Sequence, residues 1–244
     1  MWLPFKSYSL KDKGILNGFI DYHCHILPGI DDGIKSVNSS LKVLSFYEKT
    51  GIKEVWLTPH IMEDIPNSTK LLKDRYEELK TAYSGNINLH LASENMLDNL
   101  FIERLEKDDV LPLFYNNCKY LLVETSFFNP PMNFLEILKK IKSKGYFPVL
   151  AHPERYNYLQ WKDYLKLKKM RICFQLNLAS LTKYSTKDAR YKAKKLLLNN
   201  MYNCMGSDLH LLSDFNLEIN FKIRNQKLLN AAEDLSKKQI IRIT

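Results

Sequence analysis

The sequence predicts an α/β barrel of about seven strand–helix units, and three observations carry that prediction. Short apolar or β-branched runs alternate with stretches of helical periodicity along the chain, which calls for parallel strands joined by right-handed crossovers. No Gly/Ser-rich or Pro-rich linker interrupts the series. All 244 residues would be used by one barrel of roughly 250 residues. A single domain over 1–244 is expected, with 1–17 as an N-terminal extension and 216–244 as a C-terminal helix and tail.

The first strand is read at 18–23 (GFIDYH), followed by a helix over 36–51. A strand at 53–58 (KEVWLT) leads to a helix over 68–85, and the third strand is 87–92 (INLHLA). The fourth, 119–125 (KYLLVET), precedes a helix over 132–145, and the fifth is 146–151 (YFPVLA). The lysine-rich stretch 163–171 looks helical and leads to a sixth strand at 172–178 (ICFQLNL). A helix over 186–200 and a seventh strand at 202–207 (YNCMGS) complete the series. Several of these helices open on a Ser or Thr placed to cap them or are followed by a Gly. After Phe215 the chain is polar and mixed, and reads as one helix and a short last segment.

With 45% hydrophobic, 12% aromatic and 26% charged residues, the chain can bury a sizeable core, which excludes disordered and fibrous classes. No apolar run reaches the roughly 18 residues of a membrane span, and the N-terminus lacks a signal-peptide apolar stretch, so a cytoplasmic protein without a membrane span is expected. The four cysteines show no C-x-x-C pairing, which argues against a disulfide framework or zinc ribbon. None is followed six positions later by Arg, so the C-x5-R phosphatase loop is missing. The formal charge of +9 favours phosphates, nucleic acid or an anionic surface without choosing among them. Its lysine runs at 138–145, 163–171 and 190–198 read as solvated helix faces.

Five of the six histidines stand at or just after the end of an expected strand, where barrel enzymes gather functional side chains, and His90 lies inside one. In Asp21-Tyr22-His23-Cys24-His25, strand alternation projects both imidazoles to one side, so His23 and His25 can grip one ion. Cys24 then points away and reads as a small buried thiol. His60 follows the second strand, Glu94 the third, Glu124 the fourth, His152 the fifth, and Asp208 with His210 the last. Each alone would be an ordinary polar residue, but recurrence over so many strand ends points to a site. Mixed His and carboxylate donors suit Zn, Mn, Fe or Co, and their number implies two or three ions. Asp31-Asp32-Gly33 reads either as an Asx turn or as the source of one more ligand.

These residues resemble the polymerase and histidinol phosphatase (PHP) superfamily, and within it the bacterial metal-dependent protein-tyrosine phosphatases of capsular and exopolysaccharide systems. The motifs are DYHCHILPGIDDG (21–33), LTPH (57–60), SEN (93–95), LLVE (121–124), GYFPVLAHPER (145–155) and GSDLH (206–210). The resemblance covers about 19–215 and implies a distorted (β/α)7 TIM-like barrel with a trinuclear metal site at its mouth. It assigns ligand roles to His23, His25, Asp32, His60, Glu94, Glu124, His152, Asp208 and His210. It also implies a phosphate-binding catalytic role for Arg155, and for Asp21 a supporting role that orients a ligand imidazole. Two positions depart from many relatives: Ile61 replaces a second His, and Leu211-Leu212-Ser213-Asp214 occupies the stretch where an Arg follows the last motif.

The implied activity is hydrolysis of a phosphomonoester by a metal-activated water, with phosphotyrosine on a protein as substrate. The implied cofactors are two to three divalent ions, manganese first, with iron, zinc, cobalt or magnesium as alternatives. The implied partner is the tyrosine-rich C-terminal tail of a membrane-associated kinase of polysaccharide export, with no stable nucleic-acid partner. Phe127, Phe128, Tyr156 and Tyr158 could form an aromatic rim for a protein substrate or could be barrel packing. The rival activities are a small-molecule phosphatase of the histidinol-phosphatase type and a PHP-type nuclease or nucleic-acid-binding module.

Overall fold

The computed structural model describes residues 6–238, which form a mixed α/β structure around a curled parallel sheet. The chain begins its barrel with β1 (Ile20–Cys24) and α1 (Val37–Thr50), capped by the Ser36 side chain and closed by Gly51 at φ 94°. Then come β2 (Glu54–Leu57), β3 (His60–Ile61) and α2 (Thr69–Ala82), with Ser68 as its cap. β4 (Asn88–Leu91), β5 (Glu94–Met96) and α3 (Asn99–Glu106) follow, and α3 was not among the expected elements. The short β6 (Leu113–Tyr115) pairs antiparallel with β7 (Cys118–Glu124), ahead of α4 (Phe134–Ser143). The last barrel units are β8 (Phe147–Leu150), α5 (Trp161–Lys169), β9 (Cys173–Asn177), α6 (Lys187–Leu198) and β10 (Cys204–Gly206).

Two expected strands, 53–58 and 87–92, appear as β2 and β4, and each is followed past a break by a further short strand that was not expected, β3 and β5. Pro59 lies between β2 and β3 and has no amide to give a ladder, while Ala92 and Ser93 separate β4 from β5. Counting β2 with β3 and β4 with β5 once each, seven parallel strands line the barrel among the described residues, ordered β1-β2-β4 and β3-β5-β7-β8-β9-β10. Past the end of β10, the amide of Asp208 donates to His23 O at 2.7 Å and that of His25 to Leu209 O at 3.0 Å, which brings the two ends of the sheet together.

Apolar side chains form two clusters. The larger joins the strands to the helices. The smaller holds Tyr22, Trp56, Leu122, Val149, Ala151, Cys173 and Cys204 among its members and includes no helix residue, so it fills the barrel interior. Continuing its inward register two residues at a time brings Glu124, Gln175 and Asn177 to the mouth.

The C-terminal expectation needs correction. The polar tail is two helices, α7 (Leu212–Asn220) and α8 (Gln226–Lys238), because 221–225 instead lie along the N-terminal segment, with Ile223 and Tyr8 exchanging backbone bonds at 2.8 and 3.2 Å. Residues 1–5 and 239–244, and with the latter the end of the expected C-terminal tail, lie outside the described residues. Among the described residues, no helix is long and apolar enough to cross a membrane. All four cysteines are free, and Cys24 is buried with its thiol on Trp56 O at 3.5 Å, directed away from the mouth.

Candidate metal centre

The strand ends deliver donors from all around the barrel to one place. His23 and His25 leave β1 at a bulge, where Asp21 pairs Val55 but Cys24 pairs Leu57, and their Nε2 atoms end 3.1 Å apart. Glu94, at the start of β5, stands at the centre. Its Oε2 is 3.1 Å from His23 Nε2, 3.4 Å from His25 Nε2 and 3.1 Å from His60 Nδ1, and its Oε1 is 3.1 Å from His152 Nε2. Glu124, at the end of β7, brings Oε1 to 3.0 Å from His60 Nδ1. Asp208 Oδ1 lies 3.5 and 3.4 Å from the Nε2 atoms of His23 and His25. On the solvent side, Asp32 Oδ1 is 3.2 Å from His210 Nε2 and 3.6 Å from His60 Nε2.

Three overlapping groups could each hold an ion: His25, Asp32, His60 and His210; His23, His25 and Glu94; and His60, Glu94 and Glu124. His152 and Asp208 belong to none of these groups but flank them, at the distances given above. A direct sign of fit is that His60 Nδ1, Glu94 Oε2 and Glu124 Oε1, which share the third of these groups, are buried without a hydrogen bond. An unsatisfied buried polar atom costs about 1–3 kcal/mol. Convergent donors left unsatisfied together therefore suit a cation that would engage them.

The imidazoles are aimed by residues behind them. Gln175 Oε1 accepts from His23 Nδ1 at 3.0 Å and from the His152 amide at 3.1 Å, so Nε2 of His23 is the nitrogen presented to the site. Asp31 Oδ2 accepts from His25 Nδ1 at 2.9 Å and from the His60 amide at 3.0 Å, while its Oδ1 takes the Gly33 amide at 3.0 Å. The Asp-Asp-Gly segment thus supplies both alternatives read from the sequence: Asp31 makes the Asx turn, and Asp32 faces the donors. Close packing requires glycine at 206, where a Cβ would sit 2.4 Å from His23 Cβ and 2.9 Å from Gln175 Nε2. His152 (φ 33°) and Asp208 (φ 54°) both hold left-handed backbone, uncommon away from glycine and frequent at functional sites.

The charges interlock. Burial opposes the cationic imidazole, but Glu94 and Asp208 outweigh it and hold His23 up to about 9. Against the same burial, the carboxylates of Asp208, Asp31 and Glu94 push His25 well up, and Glu94 and Glu124 raise His60. Burial also opposes the anions, yet His23 and His60 hold Glu94 well below the usual carboxylate range, and His25 holds Asp31 at about 2. His210 is lowered by burial and by the neighbouring His25.

The expectation that Asp21 orients a ligand imidazole is corrected. Its fully buried carboxylate accepts the Ser207 amide at 2.8 Å, the His23 amide at 3.3 Å and the Tyr47 hydroxyl at 2.9 Å, so it touches backbone on β1 and beyond β10. It has no access to substrate and locks the two strand ends together. Gln175 and Asn177 were missed as positioning residues. They belong to the one expected strand with no metal-capable end, and the available signal was a polar pair at i, i+2 inside an otherwise apolar run.

Arg155 lies on the rim with its Nη1 2.7 Å from Asp208 Oδ2 and its guanidinium 4.3 Å from the centre of the Phe127 ring. Glu154 is no partner for it, being fully buried against the Asn177 amide at 3.0 Å and the Tyr202 hydroxyl at 2.8 Å. Two cavities meet at Phe127, Phe128, Arg155, Asp208 and His210: one of about 340 Å³ over the donors, and one of about 560 Å³ reaching to α6 and α7. The aromatic group divides. Phe127 and Phe128 line both cavities, whereas Tyr156 is fully buried and Tyr158 half-buried as packing. Buried Ile61 and Leu211, which lines the larger cavity, put no His or Arg at the two departing positions.

The sequence matches the family model described as capsular polysaccharide synthesis, CpsB/CapC, over residues 19–238. It is 28% identical over 197 residues to the tyrosine-protein phosphatase YwqE of Bacillus subtilis, covering 78% of this chain and 77% of that protein. It is 27% identical over 212 residues to the tyrosine-protein phosphatase CpsB of Streptococcus pneumoniae, covering 79% and 83%. The fold is similar, at a TM-score of 0.72 and 24% identity over 92% of this chain and 97% of the other, to a crystal structure from work on YwqE and CpsB, described there as unique metal-dependent tyrosine phosphatases.

Proposed function

Because the chain belongs to the CpsB/CapC family of capsular polysaccharide synthesis proteins, we propose that it is a metal-dependent phosphatase acting on phosphotyrosine in a protein. The observation that carries this reading is the set of buried, unsatisfied donor atoms of His60, Glu94 and Glu124 lying beside an arginine at an open mouth. We assign the ligand roles to His23, His25, Asp32, His60, Glu94, Glu124, His152, Asp208 and His210. Four of these are carboxylates, which would neutralise two divalent ions, and a third ion would leave positive charge for a phosphate dianion. Two to three ions, manganese first, fit this balance. Bound divalent ions supply Lewis acidity, which makes water a nucleophile near neutral pH and offsets charge on phosphoryl oxygens.

The protein's own groups do the rest. Gln175 and Asp31 hold the imidazoles in one tautomer, and Glu94 stands as an anion shared by two donor groups. Arg155 offers a planar fork to the non-bridging oxygens. A phenolate leaving group, whose parent pKa is about 10, departs without a dedicated acid. The larger cavity gives room for polypeptide beside the phosphorylated side chain, which favours a protein over a small molecule. The partner we infer is the tyrosine-rich tail of a membrane-associated kinase of polysaccharide export. The test compares kcat/KM on phosphotyrosine peptides, phosphoserine peptides, histidinol phosphate and single-stranded DNA under identical manganese. Phosphotyrosine should lead, and a higher value on any of the other three overturns the reading.

A further inference from the structure

We propose that the outward face of α5 and α6 docks on a bilayer containing anionic phospholipids. Residues 161–200 carry eleven Lys and Arg against two Asp, so this stretch alone bears +9, the formal charge of the whole chain, and the remainder is neutral. Both acids are already engaged: Asp163 accepts the Gln160 amide at 2.9 Å, and Asp188 pairs with Lys192 at 2.7 Å. Apart from Lys192, none of the eleven makes an ion pair among the described residues. The lysine run on α4 behaves differently, since Lys140 and Lys144 both reach Glu106, at 2.5 and 2.6 Å.

The exposed positions follow helical spacing. On α5 they are Lys162, Leu165, Lys166 and Lys169, and on α6 Lys187, Asp188, Tyr191, Lys194 and Leu198, so apart from Asp188, which Lys192 neutralises, each stripe interleaves cations with apolar or aromatic side chains. Tyr191 is 64% exposed, Leu165 44% and Leu198 40%. The helices are neighbours, for the Lys195 ammonium lies 4.4 Å from the centre of the Trp161 ring and both helices line one cavity of about 270 Å³. An ordinary solvated face mixes both charge signs at i, i+4. Uncompensated lysines spaced with Leu and Tyr instead suit headgroup phosphates above a shallow apolar boundary. The five exposed lysines project outward and do not line the cavity between the helices, which favours a broad surface over an acidic peptide in a groove. Thr186 and Ala189, at the start of α6, line the cavity beside Arg155, so docking would hold the mouth near the bilayer.

The full chain should co-sediment with phosphatidylglycerol–phosphatidylcholine vesicles and not with phosphatidylcholine alone, and binding should collapse as salt shortens the screening length from roughly 10 Å to 3 Å. Joint Lys162→Gln, Lys166→Gln, Lys187→Gln and Lys194→Gln substitution should lower partitioning by roughly two to three orders of magnitude. Hydrolysis of a soluble aryl phosphate should be unchanged, and Lys→Arg at the same sites should retain binding. Equal binding to neutral and anionic vesicles, no binding to anionic vesicles at low salt, or undiminished binding by the Gln variant each overturns the proposal. Capture of polyglutamate without vesicle binding would also overturn it, assigning the face to an acidic polypeptide.

Discussion

Replacing Arg155 with Ala separates phosphate binding from construction of the metal centre. The guanidinium is held by Asp208 Oδ2 at 2.7 Å and by the Phe127 ring, with its side chain still 34% exposed to the mouth where a phosphate would arrive. Loss of a charge-assisted fork on developing phosphoryl charge costs about 2–4 kcal/mol, or roughly 30- to 900-fold in kcat/KM. Asp208 itself should stay in place. Its Oδ2 also accepts Asn177 Nδ2 at 2.7 Å, and its amide donates to His23 O at 2.7 Å, so two anchors survive the substitution. The lost ion pair, being partly exposed, is worth at most about 1 kcal/mol. Metal content and Tm should therefore barely move, and Arg155→Lys, which keeps charge but not the fork, should fall between wild type and Ala. The assay is kcat/KM on a phosphotyrosine peptide at saturating manganese, with elemental analysis and thermal denaturation on the same preparation. A loss below about threefold refutes the phosphate role, and metal lost together with activity makes Arg155 a support for Asp208 instead.

Glu94→Gln removes the anion shared by two donor groups and should lose at least one metal equivalent along with most activity, measured by elemental analysis; full metal content would contradict a central Glu94. In chelated protein, His23 rises from the ordinary 6.5 to about 9 on folding, so its contribution, on the order of 3 kcal/mol, is complete below pH 6.5 and is lost as pH rises through about 9. Tm of the chelated chain should fall over that window. Manganese binding should release protons and grow tighter with pH, and calorimetry in buffers of different ionisation enthalpy would expose a binding step without proton release. Gly206→Ala places a Cβ 2.4 Å from His23 Cβ, and should cost about 1–3 kcal/mol of stability and weaken metal binding, as read by denaturant titration and metal affinity; wild-type values for both would show that β10 can move aside.

Much of the barrel was legible because its signals are local. Period-two and period-3.6 patterns lie within a few residues, so β1, α1, α2, α4 and α6 fell close to where the sequence placed them. Parallel strands with helical crossovers place all their C-terminal ends at one mouth, so polar residues at successive strand ends could be gathered into one site without a contact being known. What remained hidden depends on groups far apart in sequence. Gln175 meets His23 across 152 residues and Ser207 meets Asp21 across 186, so neither pairing leaves a trace in its own neighbourhood. The family resemblance implies that Asp21 supports an imidazole, and only the arrival of Ser207 and Tyr47 makes it a lock on backbone. The lysine runs make the same point: three similar stretches became one neutralised by Glu106 and two, on adjacent helices, in which Lys192 alone makes an ion pair among the described residues. Local periodicity specified the elements and the chemistry stationed at their ends. Tertiary structure alone decided which partner each charge meets, because Coulomb and hydrogen-bond energies depend on distances of a few ångströms that chain separation does not encode.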